Sequence, residues 1–108
     1  MKKFTFRIPQ PLFRQLHDHL FPGDNDEHGA VIAAGICTTP RGVRLLAREL
    51  FLAKDGVDYV EGKHGYRALT SDFVLRVSDH CARHNLCYFA VHCHGGDDEV
   101  AFSRDDLA

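Results

Sequence analysis

The chain lacks several features that would assign it to a class at once. Its longest apolar stretch runs from Ala30 to Cys37, far short of the roughly 20 residues a membrane span needs. The opening Met1-Lys2-Lys3-Phe4-Thr5-Phe6 carries charge but no sustained apolar core, so no export signal is expected. Its four cysteines, at 37, 81, 87 and 93, form no C-x-x-C pair, which argues against a zinc ribbon or a thioredoxin-type redox motif. Glycine and proline together number 13 of 108 residues, with no periodic run, so a collagen-like chain or a flexible linker is excluded. Charge of one sign is also missing. Thirteen basic residues against fifteen acidic give a formal net charge of −2, a poor balance for an electrostatically driven nucleic-acid binder. No repeat or low-complexity tract is present.

What remains is a chain of 108 residues, 44% hydrophobic and 26% charged, with a length suited to one domain over 1–108. Reduced thiols in a cytoplasmic setting are the expectation. Eight histidines are the compositional excess, and neutral imidazole is the commonest metal ligand.

Hydrophobic periodicity divides the chain into elements. Alternation of Phe4, Phe6 and Ile8 predicts a first strand over 3–8. Pro9 and Pro11 close it and open a helix whose apolar stripe is Leu12, Phe13, Leu16 and Leu20. A breaker loop follows at 22–26. Strands are expected over 30–37 and 43–53, joined at Thr39-Pro40-Arg41-Gly42. Residues 54–66 read as a loop holding a short strand at Val57–Val60. Thr70-Ser71-Asp72 carries N-cap chemistry for a second helix, with Phe73, Val74, Val77 and Cys81 on one face and its end near Asn85. Leu86 to Val91 reads as a strand buried on both faces. A break at 95–98 precedes the start of a final helix at Ser103. The order predicts a mixed α/β single domain, a β-sheet flanked by helices.

Val91-His92-Cys93-His94-Gly95-Gly96 carries the chemistry. Alternate residues of a strand share a face, so His92 and His94 point the same way and Cys93 points into the packing. Two imidazoles about 7 Å apart at their backbones can converge on one cation. His17 and His19 have the same spacing on a helix, where two steps of about 100° separate the rings. His80 and His84 are four apart on a helix but lack the Glu of H-E-x-x-H, and read as a solvated face. His92-x-His94 followed by Glu99 matches the first cupin motif. Two helices before it and nine residues after it leave no room for that all-β barrel.

The alternative pattern is His92-Cys93-His94 followed by Ser103-Arg104-Asp105-Asp106, with Glu27 far upstream before an apolar strand. This set resembles the JAMM/MPN zinc metalloproteases, whose motif is an N-terminal Glu, then H-x-H-P, then S-x-x-D. The resemblance covers Glu27 to Asp106. It departs from the family at Gly95, which stands for the proline, and in a gap to Ser103 one residue longer than usual. The family's glycines after the Glu fall on Ala30 and Ala34, with Gly29 and Gly35 adjacent.

The resemblance implies a JAMM/MPN (cytidine-deaminase-like) architecture, truncated at its C-terminal side, since family domains continue past the Asp. It implies Zn²⁺ held by His92, His94 and Asp106, with Asp105 the rival third ligand. Three protein ligands and an open fourth position are the arrangement of catalytic zinc. Glu27 would be the general base and Ser103 the oxyanion donor. The implied reaction is hydrolysis of a peptide or isopeptide bond at the C-terminal tail of a ubiquitin-like or sulfur-carrier protein, with no nucleic-acid or membrane partner. The tail would add to a sheet edge, expected at Val57–Val60 or the third strand. Arg44 and Arg48 read as an exposed strand face. A catalytically silent binding module of the same fold and a nucleic-acid-associated relative are the competing readings.

Overall fold

A computed structural model describes residues 3–24, 26–61, 67–93 and 100–102. The elements are β1 (Lys3–Arg7), α1 (Gln10–Leu20), β2 (Gly29–Thr39), β3 (Gly42–Leu52), β4 (Tyr59–Glu61), β5 (Arg67–Leu69), α2 (Ser71–Arg83), β6 (Cys87–Cys93) and β7 (Val100–Phe102). Five strands form one sheet in the order β1-β3-β2-β6-β7, and β4 and β5 form a separate pair. Among the described strands only β1 and β3 pair in parallel. This is a small mixed α/β domain. No helix among the described residues is long and apolar enough to cross a membrane.

The central strand explains the layering. Gly29 to Ala34 of β2 are all buried, because both faces are covered. Ala30, Ile32 and Ala34 face one side with Phe89, Val91 and Cys93, and α1 closes it with Leu16 and Leu20. Val31 and Ala33 face the other side, where α2 brings Phe73, Val77 and Cys81. Those α2 residues recur every four positions, one stripe of a helix.

Local chemistry starts and stops the helices. Pro11 sits in the first turn of α1, where its missing N–H removes no intrahelical bond. Thr70 caps α2, its Oγ1 accepting from the Phe73 N–H at 3.2 Å. Asn85, in the left-handed region at φ 57°, turns the chain out of α2. The Leu86 N–H then bonds back to the Cys81 carbonyl at 2.8 Å.

Strand β3 carries an irregularity that its residue pattern does not announce. Ala33 pairs with Glu49 and Ala34 with Ala47, so Arg48 is an extra residue, a bulge. The bulge shifts the alternation by one. Leu45 and Ala47 before it and Leu50 and Leu52 after it therefore all join the α1-side core.

Three expectations need correction. The short strand expected at Val57–Val60 lies at Tyr59–Glu61. The reason is a turn: the Val57 and Asp58 N–H groups bond to the Lys54 carbonyl, and the Asp58 carboxylate accepts from the Lys54 N–H at 2.8 Å. Gly56 supplies the positive φ of 75°. Strand β6 extends two residues past Val91, and full burial is confined to Phe89, Val91 and Cys93 on its α1 side; Cys87, Tyr88, Ala90 and His92 stay half-buried. The third strand offers no edge, because β1 and β2 occupy both sides of it. Among the described strands, β1 and β7 are the edges of this sheet. Strands β5 and β7 were not anticipated, and the helix expected from Ser103 lies outside the described residues.

Candidate active site

Register brings the two described motif residues together. Gly29 of β2 pairs with His92 of β6. The pairing extends one step further, the Cys93 N–H donating to the His28 carbonyl at 3.0 Å. Alternation puts Gly29 and His92 on the α2 side of the sheet, and Glu27, two residues before β2 begins, lines the opening there. A Cβ on Gly29 would lie 3.5 Å from the Leu69 side chain, which marks that side. Here a cleft of about 210 Å³ opens, lined by Glu27, His28, Tyr59, Leu69, Ala90 and His92 among others. Sixty-five positions separate Glu27 from His92 in the chain, and the β2–β6 ladder makes them neighbours across one opening.

Tyr59 supports the floor. Its hydroxyl accepts from the Gly29 N–H at 2.8 Å, and its proton faces the Gly29 and Ala53 carbonyls at 3.3 and 3.4 Å. The backbone that connects Glu27 to the sheet is thus tied to β4, the strand that walls the cleft.

Cys93 lies on the opposite face, 1% exposed and within the α1-side core, as alternation requires. It does more than fill space. Its Sγ accepts from the His28 N–H at 3.2 Å and lies 3.8 Å from the Asp26 carbonyl, to which it donates. The thiol therefore holds both sides of Glu27.

A second group, missed in the sequence, sits behind Glu27. His28 is 4% exposed, and its Nε2 lies 2.8 Å from the Asp24 carboxylate. A carboxylate only accepts, so Nε2 carries the hydrogen. Nδ1 lies 3.8 Å from Asp55. His19 places Nε2 3.0 Å from the Gly29 carbonyl, with its ring 6.0 Å from that of His28. A cavity of about 480 Å³ lies beside them, lined by Asp18, His19, His28, Lys54 and Asp55 among others. The available signal was Asp24 four residues before His28. Asp55 comes from another turn of the chain, which local spacing does not reveal.

The other histidines divide as the helical geometry requires. His17 packs its ring against Phe13 and Phe21, away from His19. His80 is not simply solvated. Its Nε2 meets the Glu49 carboxylate at 2.9 Å, and its ring packs on Phe51 and His84. All four cysteines are unpaired thiols. Burial pushes the Cys81 thiol up, helped by the nearby Glu49 carboxylate and Cys87, and burial alone pushes Cys87 up. Both are protonated at neutral pH and are poor nucleophiles or ligands.

His94, Ser103, Asp105 and Asp106 lie outside the described residues, as do Asp97, Asp98 and Glu99. Among the described residues, no three His, Cys, Asp or Glu side chains form a group able to hold a metal. The described part of the expected site is therefore one imidazole and one carboxylate on a shared cleft. That pair suits a ligand beside a proton acceptor. Compared with known proteins, the chain matches no family, no curated sequence and no solved structure.

Proposed function

We propose that this chain is a zinc-dependent peptidase or isopeptidase acting on the C-terminal tail of a ubiquitin-like or sulfur-carrier protein in the cytoplasm, with JAMM/MPN architecture. The observation that carries the reading is the opening of Glu27 and His92 onto one cleft, through the Gly29–His92 register. The motif order supports it. His94 follows the last residue of β6, and Ser103 follows the last residue of β7, the strand paired with β6.

His92, His94 and Asp106 would hold the zinc. Bound there, zinc supplies a Lewis acid that polarises the scissile carbonyl and acidifies water. Glu27 takes a proton from the attacking water and delivers it to the leaving amine. The Ser103 hydroxyl donates to the developing oxyanion. Leu69 and Ala90 keep part of the cleft apolar, which strengthens each of these polar interactions. Tyr59 and Cys93 position Glu27 through the backbone on either side of it.

The test is metal content beside hydrolysis of a sulfur-carrier protein fused at its tail to a reporter. Wild type and Glu27→Ala are expected to carry about one zinc per chain, and His92→Ala almost none. Glu27→Ala is expected to lose at least about 10²-fold in rate. Loss of zinc from Glu27→Ala would contradict the role of base. Zinc retained without any hydrolysis in wild type would favour a silent binding module.

A further inference from the structure

Charge is unevenly placed along this chain. Residues 1–17 and 28–48 contain no Asp or Glu, yet hold Lys2, Lys3, Arg7, Arg14, Arg41, Arg44 and Arg48. The fold gathers part of this set. Lys3 pairs with Gly42 and Thr5 with Arg44 across β1 and β3. Lys3, Thr5, Arg7, Arg41 and Arg44 line a groove of about 310 Å³ on the sheet surface that α2 leaves open. Its four cations have no carboxylate partner among the described residues, and no acid lines the groove.

The groove runs beside an edge. Among the described residues β1 pairs only with β3, so its outer side presents unpaired backbone N–H and C=O groups. Phe4, on the other face of β1, is 71% exposed. A strand added to this edge would set alternate side chains against the cations and the others over Phe4. No aromatic side chain lines the groove, so the bases of a single-stranded nucleic acid would have no platform for stacking.

We propose that β1 is a docking edge for an extended segment of a partner protein in which acidic and apolar residues alternate. The segment adds to β1 as a further strand. Its carboxylates pair with Lys3, Arg7, Arg41 and Arg44, and its apolar residues cover Phe4. The edge stands apart from the cleft: through β3 its residues lie level with Gly35 to Thr39 of β2, about 20 to 33 Å along the strand from Gly29 at 3.3 Å per residue. Docking here is therefore independent of the proposed hydrolysis.

The test uses a fluorescein-labelled decapeptide of alternating Glu and Val, its Lys–Val counterpart, and a thymidine oligonucleotide. The Glu–Val peptide alone is expected to bind wild type, with affinity falling about tenfold or more between about 50 and about 300 mM NaCl. The double charge reversal Arg7→Glu with Arg44→Glu is expected to lose at least about tenfold. Arg41→Glu lies in the hairpin turn rather than in a strand, and is expected to weaken binding even if the double variant fails to fold. Bound peptide should slow amide exchange at Thr5, Phe6 and Arg7. Glu27→Ala should bind like wild type, which separates this result from the fate of the hydrolase reading. Equal binding of both peptides, tighter binding of the oligonucleotide, unchanged binding by Arg41→Glu, or unaltered exchange in β1 would each overturn the proposal.

Discussion

His28 is a buried imidazole whose two nitrogens face two aspartates, and its neighbour in the chain is the carboxylate of the cleft. The contacts made by Asp24 and Asp55 on one side of the sheet thus fix where Glu27 emerges on the other. His28→Ala would remove the buried imidazole that donates to the Asp24 carboxylate and widen the cavity beside it. We expect a loss of about 1–3 kcal/mol in stability, measured by urea unfolding. Tyr59→Phe is the milder probe. It removes the acceptor of the Gly29 N–H and should cost about 1 kcal/mol or somewhat more. Hydrolysis should fall more than stability does if Tyr59 positions the cleft. At this scale the sequence was uneven in what it disclosed. His92 and Cys93 could be assigned to opposite faces because strand alternation needs only neighbours. The service of His28 could not, because Asp55 reaches it through the folded chain. Cys93 was legible as packing, but its hydrogen bonds to the backbone around Glu27 depend on the segment before β2, sixty-odd residues upstream.

Elements were read best where one face is long and regular. Helix α2 shows its stripe of Phe73, Val77 and Cys81 and its Thr70 cap openly. Strands β5 and β7 have three residues each, too few for a period to stand out. The β3 bulge was hidden for another reason. Leu45, Ala47, Leu50 and Leu52 do not alternate, yet all face α1, because Arg48 changes the phase between them. Strand β4 begins two residues late because the Asp58 carboxylate commits Val57 to a turn. Gly42 is the most demanding backbone position. It has φ 150°, and a Cβ there would collide with the Lys3 carbonyl. Gly42→Ala should therefore detach β1 from β3 at its first residues. We expect faster amide exchange in β1 and a loss of about 1–3 kcal/mol, with the β2–β6 ladder unaffected. An intact β1 in that variant would show that the hairpin adjusts instead.

For the whole molecule, the buried Cys81 and the half-buried Cys87 set a limit on alkaline stability. Cys81 and Cys87 titrate above the ordinary thiol value of 9.0 when folded. Unfolded, they release their protons at that value. Their contribution is complete below it and is lost as pH climbs through the folded values. Thermal midpoints should fall between about pH 8 and about pH 10, and Cys81→Ala should make that fall shallower. Equal slopes in the two proteins would assign the alkaline loss to other groups. Alkylation tests the same burial. Cys37 is exposed and should react first, with Cys81 and Cys93 requiring unfolding.

The β2–β3 hairpin also acts as a ruler between charges. Asp24, Asp26, Glu27 and Asp55 gather near Gly29, where β2 begins, while Arg41 and Arg44 lie where it turns back. A net charge of −2 conceals this separation, which amounts to an electric moment along the hairpin. Its field reaches roughly 8 Å into a physiological salt solution. An approaching anion would thus rotate the protein before touching it, presenting the β1 end and turning the cleft away. Orientation would precede contact, and a partner held at one pole would leave the other open to solvent.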